Sequence, residues 1–378
     1  MGRAKQLRQP ASISQDFFSD HRWTHAEYHK ADSAHATCNT YRYIVTRPYR
    51  TVYEDTKMVQ LVCTGKGSTM AFPKIVAQVQ ALAKQISPAV LYLGTPSYDK
   101  EDIFNIQTKG FRDANCPITK MDLSEVPASR ATGIDMVYPT KKEMQKQVDE
   151  TDVIMVSGGN TLYAIRRWQE LGMAEILIEA AKKDNGPVFC GGSAGAICWF
   201  ARGHSDSMDP KTLLNPDPLL TEEQQKDWDY IRIEGLEVIK ALCVPHYDVM
   251  QTSGLIRGEV SEQMVEEMPD YPCIGIDEEA AFVVDGDIVR VIQGGDGAKC
   301  YKKVYNSKTK ALEVLVMEEQ HGEYSLSALS EMPGYPCIGI DEEAAFAADG
   351  DIVRAIQGGD GAECYKTVYN SKTKALEV

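Results

Sequence analysis

The chain has 378 residues, 43% of them hydrophobic and 25% charged, with a formal net charge of −15. This composition indicates a globular protein of one large domain or two ordinary ones, and the acidic charge disfavours general binding to nucleic acids or anionic membranes. No run of about 18 apolar residues predicts a transmembrane helix, and the start of the chain lacks the apolar core of a secretory signal. We therefore expect a cytoplasmic protein whose ten cysteines, which lack metal-ligand spacing, are free buried thiols.

Residues 1–57 are aromatic and rich in histidine, without clear periodicity, and we interpret them as an irregular N-terminal extension. From Met58 onward, short apolar runs alternate with amphipathic helical stretches. The predicted strands include MVQLVCTG, AVLYLGTP, DVIMVSGG and PVFCGG. Such β-α-β-α alternation predicts an α/β domain, residues 58–318, with a mostly parallel sheet and helices on both faces.

The first transition that could carry chemistry is VSGGNTLYAIRRW, residues 156–168. A strand runs into two glycines and then into a helix for which Asn160 is placed as the N-cap. A glycine amide at this position could bind an oxyanion. The same pattern is equally compatible with a phosphate-binding turn.

A second transition, PVFCGGSAGAICWF, residues 187–200, fits the G-x-S-x-G pattern around Ser193. In a nucleophile elbow the serine stands on a strained strand-to-helix turn, where larger neighbours would clash. The amide of Ala194 then points at the developing oxyanion, and the helix N-terminus adds a favourable dipole. The pattern alone is equally consistent with a glycine-rich turn that binds phosphate or only packs closely.

A serine nucleophile needs a base, and two histidines are candidates. His246, in LCVPHYD, follows an apolar strand-like run, and functional groups of open α/β sheets collect at the ends of strands. His204 follows Ser193 by only eleven residues, in a polar loop. We favour His246 as the base over the alternative that it is only a hydrogen-bonded residue at a strand end.

The base in turn needs an acid, and IGIDEEAAFVV places Asp277, Glu278 and Glu279 directly after an apolar strand. We expect one of these carboxylates to orient the histidine and the other two to belong to an acidic turn. The resulting chain order is Ser…His…acid. The α/β-hydrolases have the order Ser…acid…His, so the pattern disfavours that fold.

The C-terminal third contains a duplication, because residues 267–314 recur as residues 331–378 with six differences over 48 positions. Each copy predicts strands joined by turns, so a β-hairpin region is duplicated, and residues 319–330 are predicted to be a linker. Three of the differences replace valine by alanine, which costs on the order of 1–2 kcal/mol each at a core position. We therefore expect the first copy to dock on the domain and the second to be loosely ordered.

Taken in this order, SGGNT, GGSAGA, PHYD and GIDEE resemble the motifs of the aspartyl dipeptidase (peptidase E) family of serine peptidases. This family includes the cyanophycinases and belongs to the class I glutamine amidotransferase-like superfamily, whose α/β fold the resemblance implies. The resemblance covers about residues 58–318. It implies Ser193 as the nucleophile, His246 as the base and Glu278 as the third member of a triad, with Glu279 as the alternative.

The resemblance further implies that Gly159 and Ala194 supply the oxyanion-hole amides. Arg257, in SGLIRGEV, stands roughly where the dipeptidases have an arginine that binds the aspartate side chain, and a guanidinium can hold a carboxylate bidentately. The implied reaction is hydrolysis of short peptides with an N-terminal aspartate through an acyl-enzyme, without a metal or cofactor. The alternatives are cyanophycinase-like hydrolysis of β-aspartyl-arginine and a non-catalytic binding protein on the same fold.

Overall fold

The computed structural model describes residues 59–125, 138–214, 219–251, 254–307 and 309–330, together with four short strands between residues 344 and 377. The extension predicted for residues 1–57 lies outside the described residues, as does Glu342 of the second copy. Within the described part of the chain, no helix is long and apolar enough to cross a bilayer.

Strands and helices alternate through the first half of the domain, as the sequence predicted, whereas the second half is mostly strand. The strands are β1 (Gln60–Thr64), β2 (Val90–Leu93), β3 (Ile118–Met121), β4 (Val153–Val156), β5 (Val188–Gly192), β6 (Phe200–Ser205), β7 (Ile231–Glu234), β8 (Ile239–Val244), β9 (Cys273–Ile276), β10 (Ala280–Asp285), β11 (Ile288–Gln293), β12 (Cys300–Asn306), β13 (Ala311–Met317) and β14 (Glu323–Ser325). The helices are α1 (Pro73–Ala83), α2 (Glu101–Gln107), α3 (Lys109–Asp113), α4 (Lys141–Asp149), α5 (Thr161–Leu171), α6 (Met173–Ala181), α7 (Ala194–Ile197), α8 (Arg257–Val260), α9 (Glu262–Glu266) and α10 (Leu326–Ser330).

The larger sheet has eight strands in the order β14-β11-β10-β1-β5-β4-β2-β3. The five strands from β1 to β3 in this order are parallel, and β10, β11 and β14 extend the sheet in antiparallel fashion. Ile75 of α1 and Phe111 of α3 belong to the core on one face, and Trp168 of α5 and Leu177 of α6 belong to the core on the other. The predicted α/β class, a mostly parallel sheet with helices on both faces, is therefore confirmed.

A second sheet of six strands, in the order β13-β12-β9-β8-β6-β7, was not predicted as a separate layer. Phe200 of β6, Cys243 of β8 and Ile274 of β9 share one buried apolar cluster with Leu61 of β1, so this sheet and the larger one have a common core. Strands β6, β8 and β9 are parallel to one another. The loops after β8 and β9 therefore leave the sheet at the same edge, and they carry His246 and Glu278.

Residues 319–330, which the sequence predicted as a linker, contribute strand β14 to the larger sheet. Ser325 of β14 is paired with Ile288 of β11, and the Asp287 carboxylate accepts a hydrogen bond of 2.7 Å from the backbone N–H of Ser327. The three-residue strand is too short to show an alternating pattern, and the segment was predicted as a linker because it lies between the two copies. The segment after the first copy is thus part of the described domain.

Candidate active site

Ser193 stands at the turn between β5 and α7. Strand β5 lies between β1 and β4 in the parallel part of the sheet, and α7 begins one residue after the serine, at Ala194. The backbone of Ser193 has φ 57° and ψ −119°. A positive φ is uncommon for a residue with a side chain and marks local strain. The conformation is the sharp strand-to-helix turn that the G-x-S-x-G pattern requires.

The glycines around Ser193 are needed because neighbouring backbone leaves no room for a Cβ atom. A Cβ on Gly192 would lie 2.4 Å from Thr64 Oγ1, and a Cβ on Gly195 would lie 2.3 Å from the carbonyl oxygen of Val156. A Cβ on Gly191 would lie 2.7 Å from the carbonyl oxygen of Gly195 itself. The elbow therefore packs closely against the ends of β1 and β4, and the small residues allow both this packing and the half-buried position of Ser193.

His246 follows β8 and reaches Ser193 from the second sheet. Its Nε2 lies 2.9 Å from Ser193 Oγ, and its backbone N–H donates a hydrogen bond of 3.2 Å to the carbonyl of Gly65, after β1. The residue has φ 51°, so the backbone is turned sharply where the strand ends. The imidazole is one-fifth exposed, which leaves it accessible from solvent.

Glu278 approaches the other nitrogen of the same imidazole, with its Oε1 2.6 Å from His246 Nδ1. The backbone of Glu278 is held on both sides, because its N–H donates to Asp248 Oδ1 at 2.9 Å and its carbonyl accepts from Thr69 Oγ1 at 2.8 Å. The hydrogen bond from His246, followed by that from Lys66, lowers the pKa of Glu278 to about 2. The carboxylate is thus ionised at neutral pH and oriented toward the imidazole.

The two acids that flank Glu278 have other surroundings. Asp277 is 4% exposed and accepts a hydrogen bond of 2.9 Å from the backbone N–H of Lys299; burial raises its pKa to about 6. Glu279 is exposed, and its carboxylate lies against Gly295, on the turn that follows β11. The structure brings Glu278, rather than either neighbour, into contact with His246.

The backbone amides of Gly159 and Ala194 have no hydrogen-bond partner among the described residues. Gly159 has φ 138°, and a Cβ there would lie 2.1 Å from the carbonyl oxygen of Pro96, so the turn requires glycine. The preceding Gly158 is close to the serine, since its Cβ would lie 3.4 Å from Ser193 Cβ. Its own amide donates to the Gln107 Oε1 at 3.1 Å. The two unpaired amides follow strands β4 and β5, which are neighbours.

His204, the other histidine considered from the sequence, is fully buried in β6. Its ring stacks on Tyr230 with the centroids 4.2 Å apart, and neither ring nitrogen has a partner among the described residues. Burial, together with the nearby Arg257 charge, lowers the pKa of His204 well below its usual range. This histidine is a neutral core residue.

Arg257 begins α8 and is only 2% exposed. One terminal nitrogen donates a hydrogen bond of 2.6 Å to the carbonyl of His204, and the other lies 3.5 Å from Asp206 Oδ2. The guanidinium lies over the Tyr230 ring, 4.8 Å from its centroid. Its Nε has no partner among the described residues. The side chain is therefore enclosed and largely engaged, with one N–H group left over.

Three residues that contact the site were not singled out from the sequence. Lys66 Nζ lies 2.8 Å from Glu278 Oε2, Gln107 holds the Gly158 amide, and Asp248 holds the Glu278 amide. Only Asp248 carried a signal, since it stands two positions after His246 in PHYD. The contacts of Lys66 and Gln107 depend on how separate loops meet and could not be read from local pattern.

A model of peptidase family S51 matches residues 61–292, which is more than half of the chain. The chain belongs to peptidase family S51. It is accordingly a serine-type peptidase, and the motif resemblance to the peptidase E family is confirmed. The matched range includes Ser193, His246 and Glu278 and ends before the second copy of the duplicated region.

Individual proteins are similar to parts of this chain. An uncharacterized peptidase of Bacillus subtilis (strain 168), YgaJ, is 27% identical over 251 residues, which cover 65% of this chain and 92% of the relative. Among solved structures, a putative peptidase E protein from Listeria monocytogenes EGD-e is 18% identical, with a TM-score of 0.42, and covers 62% of this chain and 98% of its own. A peptidase from an acI-B1 actinobacterium is 16% identical, with a TM-score of 0.48, and covers 71% and 97%.

The described residues offer no metal centre to this peptidase. No group of three or more His, Cys, Asp or Glu side chains among them is placed to hold a metal ion. The seven cysteines at described positions are all free and buried, as the sequence predicted.

Proposed function

We propose that this S51 peptidase hydrolyses short peptides with an N-terminal aspartate, through an acyl-enzyme on Ser193. The observation that carries the proposal is the continuous row in which Ser193 Oγ lies 2.9 Å from His246 Nε2 and His246 Nδ1 lies 2.6 Å from Glu278 Oε1. This is the geometry of a nucleophile, a general base and an acid that orients the base. Glu278 is the preferred acid over Glu279 because only the former is within reach of the imidazole.

In the proposed reaction His246 Nε2 takes the proton of Ser193 as Oγ forms a bond to the carbonyl carbon of the substrate. The tetrahedral oxyanion accepts hydrogen bonds from the amides of Gly159 and Ala194, which are otherwise unpaired. The imidazolium then gives its proton to the leaving nitrogen and the C–N bond breaks. Water attacks the resulting ester by the same route, which releases the acid product and restores Ser193.

Specificity for aspartate is assigned to Arg257. Its support is the position of α8 directly after the loop that begins at His246: the Arg257 backbone N–H donates to the Val249 carbonyl, and the next amide donates to Tyr247. The guanidinium is nearly enclosed, and its Nε, which has no described partner, is buried as well, so a substrate carboxylate would reach it only after the surrounding side chains move. The Coulomb attraction between two charges is larger in such a buried place than at the surface, although removing both charges from water offsets part of it.

The proposal is tested by treating the full chain with a fluorophosphonate and with a peptide panel. We expect a covalent adduct on Ser193 that is absent from Ser193→Ala, and cleavage of α-aspartyl dipeptides in preference to β-aspartyl-arginine and to dipeptides without aspartate. Preference for β-aspartyl-arginine would indicate a cyanophycinase-like enzyme instead. An unlabelled Ser193 together with an uncleaved panel would indicate a binding protein on this fold.

Variants of Arg257 separate specificity from chemistry in the same assay. We expect Arg257→Met to lower kcat/KM for α-aspartyl dipeptides about 100-fold, as the loss of a buried charge-assisted pair implies, while fluorophosphonate labelling of Ser193 continues. Arg257→Lys serves as the charge-conserving control and should lose less. An equal loss for aspartyl and neutral dipeptides would remove Arg257 from substrate recognition.

A further inference from the structure

Lys66 forms an ion pair with the Glu278 carboxylate, and the function proposed above gives it no role. It lies in the turn TGKGS that follows β1, and its Nζ is 2.8 Å from Glu278 Oε2. The other oxygen of the same carboxylate contacts His246. The side chain of Lys66 is 46% exposed and that of Glu278 is 24% exposed. The two oxygens of Glu278 are thus divided between a cation and the imidazole.

The backbone around Lys66 is fixed by close contacts with the elbow and the acid loop. Its carbonyl accepts a hydrogen bond of 2.8 Å from Thr64 Oγ1, and a Cβ on Gly192 would lie 2.5 Å from the same carbonyl oxygen. The neighbouring Gly65 carbonyl receives the His246 amide, and a Cβ on Gly65 would lie 2.1 Å from the Asp277 carbonyl oxygen. The ammonium group therefore starts from a backbone position that cannot shift without moving the site.

The ion pair between Lys74 and Glu319 is an ordinary surface pair with which the Lys66 pair can be compared. Lys74 Nζ lies 2.6 Å from Glu319 Oε2, with side-chain exposures of 53% and 32%. Exposed lysine–carboxylate pairs of this kind contribute little to stability. The Lys66 pair is similar in distance and exposure but differs in its acid, because Glu278 also contacts His246. We therefore expect the Lys66–Glu278 pair to affect the reactivity of His246 rather than the stability of the fold.

We propose that Lys66 is a positioning residue that acts through Glu278, by offsetting part of the negative charge that this carboxylate places at the His246 imidazole. This inference rests on the proposed function, in which unprotonated His246 is the base. A carboxylate alone favours the imidazolium form, which cannot accept the Ser193 proton. The neighbouring ammonium opposes that tendency, so its removal is expected to favour the imidazolium.

The remaining charges around the row do not replace Lys66. Asp248, whose carboxylate accepts the Glu278 amide, Asp277 and Glu279 are acidic and supply no positive charge. Lys299 is basic, but its side chain pairs with Glu318. Its backbone N–H donates a hydrogen bond to Asp277. Removing the Lys66 charge thus leaves carboxylates on the acid side of His246, with their negative potential less compensated.

The test compares Lys66→Met, Lys66→Arg and Lys74→Met with the unaltered chain. For Lys66→Met we expect the acid limb of the pH profile for fluorophosphonate labelling of Ser193 to move upward by on the order of 0.5–1 pH unit. At pH values below the acid limb, the labelling rate should therefore fall about three- to tenfold. The rate on the high-pH plateau should change much less. Lys66→Arg should restore the profile, and Lys74→Met should match the unaltered chain.

The imidazole itself is followed by NMR titration of His246 in the same proteins, which does not require activity. An upward move of its titration midpoint in Lys66→Met supports the inference even if Ser193 proves unreactive and the proposed function fails. A uniform loss of labelling at every pH, with no move of the limb or the midpoint, would overturn it. So would a Lys66→Arg variant that behaves like Lys66→Met.

Discussion

The two copies of the duplicated region form the same hairpin but differ in what surrounds it. In the first copy β10 and β11 pair from Ala280 with Gln293 to Asp285 with Ile288. In the second copy, strands β15 (Ala344–Asp349) and β16 (Ile352–Gln357) pair in the corresponding register. Strand β10 is also paired with β1 in the larger sheet, whereas β15 pairs only with β16 among the described residues. Local sequence suffices for the hairpin but not for its docking.

The six differences between the copies fall mostly on positions that the first copy uses for docking. Val283, Val284 and Val291 are at most 1% exposed in the core, where the second copy has alanine. Lys303 is 4% exposed and donates to Glu262 Oε1 at 2.7 Å, where the second copy has threonine. Lys299, which is glutamate in the second copy, pairs with Glu318. The second copy lacks the side chains that fit this site.

The largest expected effect distinguishes the two copies of the acid. Glu278→Ala should slow fluorophosphonate labelling of Ser193 by about 10³-fold or more, because an unoriented histidine is a poor base. Glu342→Ala, its counterpart in the second copy, serves as the matched control and should label at the rate of the unaltered chain. Loss of labelling in Glu342→Ala with retention in Glu278→Ala would mean that the second copy supplies the acid.

The contrast also shows which parts of the molecule the sequence can predict. Apolar runs that end in glycine predicted the parallel strands and the turn at Ser193, because burial and backbone clearance are local requirements. The choice among Asp277, Glu278 and Glu279 depended on the direction of each side chain after β9, and motif resemblance alone indicated the middle one. Contacts between loops distant in sequence, such as Lys66 with Glu278, have no local signature.

Two further features were hidden for the same reason. Strand β14 forms because residues 323–325 pair with the free edge of β11. The local sequence of residues 323–325 does not indicate that such an edge is available. The burial of Arg257 depends on the carbonyl of His204 and on the Tyr230 ring, which lie on β6 and next to β7. The surroundings of both features depend on tertiary packing, which local sequence patterns do not predict.

The next largest effect comes from giving the first copy the apolar residues of the second. The triple variant Val283→Ala/Val284→Ala/Val291→Ala should lose roughly 3–5 kcal/mol of unfolding free energy, since each site loses buried methyl groups and gains a cavity. The measurement is the midpoint of urea denaturation. The reciprocal variant Ala347→Val/Ala348→Val/Ala355→Val should leave that midpoint unchanged. A larger effect in the reciprocal variant would place the second copy in the core.

The smallest effects are expected for Lys303 and Lys299. Their ranking tests whether burial of the ion pair determines how much each lysine stabilises the first copy. Lys303→Thr should cost about 2–3 kcal/mol, because it removes a buried ammonium that bonds Glu262 and the Gly258 carbonyl and lies over Tyr247, the neighbour of His246. Lys299→Glu should cost about 1 kcal/mol, because it replaces a partly exposed attraction to Glu318 by a partly exposed repulsion between two carboxylates. Urea denaturation at low and high salt separates the two, since salt screens only the exposed pair. Equal losses in both variants would contradict the ranking by burial.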